Sequence, residues 1–133
     1  MKTRLEKDKG KDIVVRCGLT KFWELPREGF SGCLLLGCLP KQNLRITFES
    51  KDLVHAGVLD NRGNPLSITF VYGHPEHSKR EEVWLNFKAL KAIAHHNWLC
   101  IGDFNQILTA DEKLSFNQGK IVRVDTFQQT ISE

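Results

Sequence analysis

The chain reads as a mixed α/β domain, and three stretches carry that reading. Leu53–Leu59 and Leu66–Tyr72 flank Asp60-Asn61-Arg62-Gly63-Asn64-Pro65, the densest turn signal present, and together predict an antiparallel hairpin. Downstream, Val83, Trp84, Phe87, Leu90 and Ala94 fall on one face at helical spacing, with Glu82, Asn86, Lys88 and Lys91 largely outside that stripe. Trp98-Leu99-Cys100-Ile101 is then a short apolar run, with the length and composition of a strand buried on both faces.

The remaining elements can be taken in chain order. Met1 to Lys11 is a charged leader, expected to be solvated and frayed, with the domain proper from Asp12 to Glu133. Asp12 to Cys17 predicts the end of a short helix, with Ile13, Val14 and Cys17 on one face and Gly18 as its stop. Leu19 to Arg27 reads as a connection. Gly29-Phe30-Ser31-Gly32 is a glycine-bracketed turn before Cys33-Leu34-Leu35-Leu36, a central strand closed by Pro40. In Leu44–Glu49, Leu44, Ile46 and Phe48 are expected on one face and Arg45, Thr47 and Glu49 on the other. The same rule sets Leu66, Ile68, Phe70 and Tyr72 inward against Ser67, Thr69 and Val71 outward. Ser78, with Glu81 three residues on, has capping-box spacing, and His95-His96 suits a helix end. Ser115 to Lys120 reads as a loop, and Val124, Phe127 and Ile131 predict a last helix.

Composition narrows the function classes. A chain of 133 residues with 41% hydrophobic and 26% charged content is ordinary for one globular domain. A net charge of +3 permits contact with nucleic acid without demonstrating it. No apolar run approaches the roughly 18 residues of a membrane span, and no signal-type segment comes after the charged start, so the expectation is an intracellular protein without a membrane partner. The cysteines Cys17, Cys33, Cys38 and Cys100 form no Cys-x-x-Cys pair. They read as reduced thiols with no disulfide-linked partner, not as a zinc site.

Chemistry concentrates at Gly102-Asp103-Phe104-Asn105, where the apolar run stops. In extended backbone Asp103 and Asn105 point to one side and Phe104 to the core. The carboxylate can orient and deprotonate a water, and the carboxamide can donate to an oxygen gaining negative charge. The competing reading is a turn or a helix cap. Tyr72-Gly73-His74-Pro75 offers the same choice: a hydroxyl donor to phosphate beside a glycine that lets backbone approach, or an aromatic strand end before a turn. His74 and His77 could titrate near neutrality.

Taken together, Gly29-Phe30-Ser31-Gly32, Tyr72-Gly73-His74-Pro75, Arg80, Trp84, Trp98, Gly102-Asp103-Phe104-Asn105, Glu112-Lys113 and Phe127, in this order, resemble one family. It is the endonuclease domain of plant LINE-type (non-LTR) retroelements, within the endonuclease/exonuclease/phosphatase superfamily that includes DNase I. The resemblance runs from about Asp12 to the end, and the Gly-Asp-Phe-Asn box with its preceding Trp is its most specific part. It implies a four-layer α/β/β/α DNase I-like sandwich with mainly antiparallel sheets. It also implies a Mg2+ (or Mn2+) cofactor, DNA as partner, a nuclear location, and cleavage of phosphodiester bonds. By motif match, Asp103 would orient or deprotonate the attacking water, Asn105 would hold a phosphoryl oxygen or the Asp itself, and Tyr72 would contact the scissile phosphate. Arg80 and His74 are weaker phosphate candidates.

Departures from the family pattern limit the activity to be expected. The family's first strand carries an Asn and then a metal-holding Glu, which would lie upstream of Met1, and neither Glu24 nor Glu28 has that context. The family's closing Asp/Ser-Asp-His box is also absent, since no His occurs after His96. The sequence therefore predicts an incomplete first strand and C-terminal part, sheet faces left uncovered, and little or no hydrolysis by the chain alone. A non-catalytic module binding nucleic acid or protein is the alternative. A small-molecule phosphatase of the same superfamily is the third reading.

Overall fold

The computed structural model describes residues 2–3, 9–25, 33–107 and 124–132. Among them the elements run β1 (Lys2–Thr3), α1 (Lys9–Arg16), β2 (Lys21–Leu25), β3 (Cys33–Cys38), β4 (Arg45–Glu49) and β5 (Leu53–Leu59). Next come β6 (Pro65–Tyr72), α2 (His77–Leu90), β7 (Trp98–Asp103) and α3 (Val124–Ser132). The first sheet has the order β1-β3-β2 and the second β4-β5-β6-β7. Pairing is antiparallel throughout except for β6 with β7, which are parallel.

The hairpin forms where the turn chemistry asks for it. Asp60 Oδ1 accepts the backbone N–H groups of Arg62 and Asn64, each at 2.8 Å, and Gly63 takes φ +83°. Those hydrogen bonds hold the Asp60 carboxyl below its ordinary range, Asn64 contributing most. β5 and β6 then pair from Leu53↔Val71 to Leu59↔Pro65.

Two apolar layers hold the elements together. Leu25, Leu34 and Leu36 of the first sheet meet Val54, Ile46 and Phe70 of the second. On the far side of the second sheet, Leu53 and Val71 pack beneath Val83, Trp84, Phe87 and Leu90 of α2 and Phe127 of α3. Helix α1 lies against the outside of the first sheet, where a Cβ on Gly10 would touch Leu35 and Glu24.

Several expectations change. Lys2–Thr3 pairs with Cys33–Leu34, and α1 already starts at Lys9, so part of the charged leader is ordered structure; residues 4–8 lie outside the described residues. Lys21–Leu25 is a strand and not a connection, because it pairs along its whole length with β3. Ile46 and Phe48 lie on opposite faces: the register shifts between them, so Ile46 joins the layer between the sheets and Phe48 the layer under the helices. Ser67, Thr69 and Val71, expected outward, are the most buried residues of β6: Val71 lies in the layer under α2, Ser67 Oγ accepts the His95 N–H, and Thr69 Oγ1 accepts from Trp98 Nε1. Helix α2 is capped at Glu76 and not Ser78, with no side-chain cap bond, and it ends at Leu90, before His95-His96. Strand β7 lies at the sheet's edge, with Leu99 and Ile101 exposed, and is not buried on both faces.

Among the described residues, no helix is long and apolar enough to cross a membrane. Cys17, Cys38 and Cys100 are free thiols. Burial pushes Cys100 up to about 11. The glycine turn at 29–32, Glu112-Lys113 and the loop at 115–120 lie outside the described residues.

Candidate active site at the ends of β6 and β7

A parallel pair needs a crossover, and α2 supplies it between β6 and β7. Parallel strands end on the same side, so their C-terminal residues become neighbours. In this register Tyr72 is the Cα partner of Asp103. Both motifs singled out in the sequence therefore meet at the C-terminal ends of β6 and β7, at the edge of the second sheet.

Two glycines make the meeting possible. A Cβ on Gly73 would collide with the Phe104 carbonyl, and one on Gly102 would collide with the Val71 carbonyl. Gly102 also sits at φ +148°, which side chains rarely adopt. Gly73, expected to let backbone approach, makes room for the backbone of the Asp-Phe-Asn box. The contact is closed by Gly73 N–H donating to the Asp103 carbonyl at 2.7 Å, and by the Asn105 side-chain amide donating to the Gly73 carbonyl.

Asp103 is exposed, and its Oδ1 accepts the Asn105 backbone N–H at 2.9 Å. Asn105 itself has φ +49°, a left-handed conformation that asparagine tolerates better than most residues. Asp103 therefore closes a local turn, at an exposed strand end beside the Tyr72-Gly73 motif. Phe104 turns inward as expected and stacks near Trp84 at 6.4 Å and Phe127 at 5.6 Å.

Tyr72 is buried, with its backbone N–H bound to the Asp52 carbonyl at 2.8 Å. His74 accepts the Glu76 N–H on Nδ1 at 3.0 Å, so in its neutral form it carries its proton on Nε2. Glu76 lies below the usual carboxylate range because the Lys79 ammonium and the Ser78 hydroxyl bind it, with a smaller contribution from His74. Arg80 donates from Nε to the His74 carbonyl at 2.7 Å, from Nη2 to the Pro75 carbonyl at 2.8 Å, and from Nη1 to Gln106 Oε1 at 2.6 Å. It ties the Tyr72 loop to the segment after Asn105. Gln106 was not singled out in the sequence, and a lone glutamine carries no pattern that would mark it.

Behind the strand ends lies a second group that the sequence did not reveal. Trp98 Nε1 donates to Thr69 Oγ1 at 2.8 Å, and that hydroxyl is 2.7 Å from His55 Nδ1. His55 and Thr69 are both buried, and the His55 ring meets Trp98 edge-on at 5.9 Å. Burial first, and the nearby His95 second, pull the His55 pKa below its ordinary value. The signal available was a Thr in β6 expected to face solvent.

Among the described residues, no three His, Cys, Asp or Glu side chains converge as metal ligands. One carboxylate at Asp103 does not match the several oxygen ligands a hard divalent cation takes, so these residues do not form a magnesium site by themselves. No protein-family model matches the chain, and neither does any curated protein.

Proposed function

We propose that the chain carries the central part of a phosphodiesterase domain of the endonuclease/exonuclease/phosphatase type, similar to the endonuclease of LINE-type retroelements, and that it acts on DNA. The observation that supports this best is the register pairing of Tyr72 with Asp103, locked through Gly73 and Asn105. Two boxes far apart in the chain share one strand-end position, as a composite site requires. The order of helix, three-stranded sheet, four-stranded sheet and helices is compatible with the four-layer sandwich that the resemblance implies.

In this reading Asp103 orients the attacking water through its exposed carboxylate. The 2.9 Å bond to Asn105 N–H holds that carboxylate in one orientation. Asn105 and Arg80 are engaged by the protein: the Asn105 amide binds the Gly73 carbonyl, and three Arg80 nitrogens bind loop acceptors. Their engagement also favours the second reading, a nucleic-acid-binding surface without catalysis. The resemblance calls for Mg2+ held largely by groups other than those described, so no step is derived through it. The chain alone is expected to hydrolyse DNA weakly or not at all.

The test is a titration of the full chain with a short DNA duplex in Mg2+, monitored by amide NMR, alongside a plasmid-nicking assay. Salt-sensitive shifts centred on Tyr72, Gly73, Asp103 and Asn105 support the proposal. Any nicking should disappear in Asp103→Ala. Binding that survives this substitution, with no nicking in either protein, selects the non-catalytic reading. Shifts confined to other surfaces sink both.

A further inference from the structure

At the opposite end of the two sheets from Tyr72 and Asp103, the sheets part around a cleft of about 360 Å³. The position is set by the pairing: Arg45 opens β4 opposite Gly57, while Tyr72 lies beside Asp52 at the far end of β5. The walls include Trp23, Leu36, Cys38, Leu44 and Ile46. Leu36 and Ile46 belong to the layer between the sheets, and Cys38 comes after Leu36 on the same face of β3. A thiol is too small to continue the leucine packing, so the gap opens there.

Two polar features shape the cleft. The Trp23 indole N–H donates to Glu49 Oε2 at 2.6 Å, pinning the ring between the edge strands β2 and β4 while 43% of the residue stays exposed. Lys21 precedes Trp23 by two positions, so alternation puts it on the same inward face as Trp23 and Leu25, at the end of the strand and of the cleft. Its ammonium is bound to the neutral Asn43 Oδ1 at 3.3 Å, and no carboxylate pairs with it among the described residues. An open apolar slot with one cation at its mouth has the size of a small-ligand site and the charge of an acceptor for an acid.

We propose that this cleft binds a small amphipathic anion, with its apolar body between the sheets against Trp23 and Ile46 and its acid group at the Lys21 ammonium. The site is separate from the strand-end site, so its test stands or falls without the hydrolase reading.

The probes are decanoate and its uncharged analogue decan-1-ol, titrated into the full chain by calorimetry, with amide NMR to locate the shifts. Decanoate should bind more tightly than the alcohol and move signals of β2, β3 and β4. Lys21→Gln, a change at an exposed side chain, should weaken decanoate about three- to fivefold, the scale of an exposed ion pair, and leave decan-1-ol unchanged. Shortening the chain to octanoate should cost about a further tenfold, for two methylenes withdrawn from the slot. Cys38→Leu, which fills the gap, should abolish binding of both. The proposal is overturned if Lys21→Gln weakens both probes equally, if the shifts fall outside these strands, if neither probe binds, or if a dimer buries Trp23 instead.

Discussion

The two faces of the second sheet are built from similar residues and end differently. On the helix side, Trp98 and Cys100 of β7 pack into a layer with Trp84, Phe87, Phe104 and Phe127. On the other side of the same strand, Leu99 is 46% and Ile101 49% exposed. The helix side is covered because α2, the crossover between β6 and β7, stacks Phe87 on Trp98 at 5.1 Å and Trp84 near Phe104. The first sheet reaches Ile46, Val54 and Phe70 of β4, β5 and β6, and among the described residues the packing between sheets stops short of β7. A strand's burial is thus decided by what its neighbours reach, not by its own hydrophobicity.

The sharpest way to break this contrast is to empty the covered face. Trp84 is 4% exposed, with Phe127 at 4.7 Å and Phe104 at 6.4 Å. Trp84→Ala should destabilise the fold by about 3–5 kcal/mol, read as a lower urea midpoint with an unchanged slope. A loss below about 1 kcal/mol would mean that the aromatic layer is not the main support of β7.

A milder perturbation of the same face is acid. Because the His55 pKa is lowered in the folded chain, the unfolded chain binds the proton more readily. Its contribution is constant above the unfolded value of about 6.5, and stability falls as pH drops below that value. Urea midpoints between pH 8 and 5 should show this decline, and His55→Gln should flatten it relative to the unmodified chain. An identical decline in both would place the titration elsewhere.

The smallest effect belongs to the open face. Ile101→Thr should change stability by less than about 1 kcal/mol, because about half of Ile101 is already exposed, while reducing concentration-dependent self-association seen by light scattering. A large destabilisation would show that Ile101 is covered in solution.

The same contrast separates features legible in the sequence from those that were not. Asp60 and Gly63 act through backbone groups within four residues, so the hairpin turn was legible. The helical stripe from Val83 to Leu90 was legible for the same reason, since a helix face repeats over adjacent turns. The β4 bulge was not, because Ile46 and Phe48 separate only when β5 sets the register. Burial of Ser67 and Thr69 escaped the period-two rule because groups distant in the chain, the His95 N–H and the Trp98 indole, bond their hydroxyls on the face that polarity had marked as solvent. At the candidate site, Asp103, Asn105 and Tyr72 stood out as polar groups at strand ends and took roles from motif resemblance, whereas the linkage by Gly73 and Arg80 came from contacts between distant segments.

By itself, then, the sequence determined the local segments, most of their boundaries, and the mixed α/β class, since these depend on propensity, turn chemistry and periodicity among near neighbours. Only the tertiary structure decided that β6 and β7 run parallel, that Tyr72 stands beside Asp103, and that one face of β7 is left open. Pairing between remote strands is chosen by the packing of the whole chain, and no short stretch of residues carries that information.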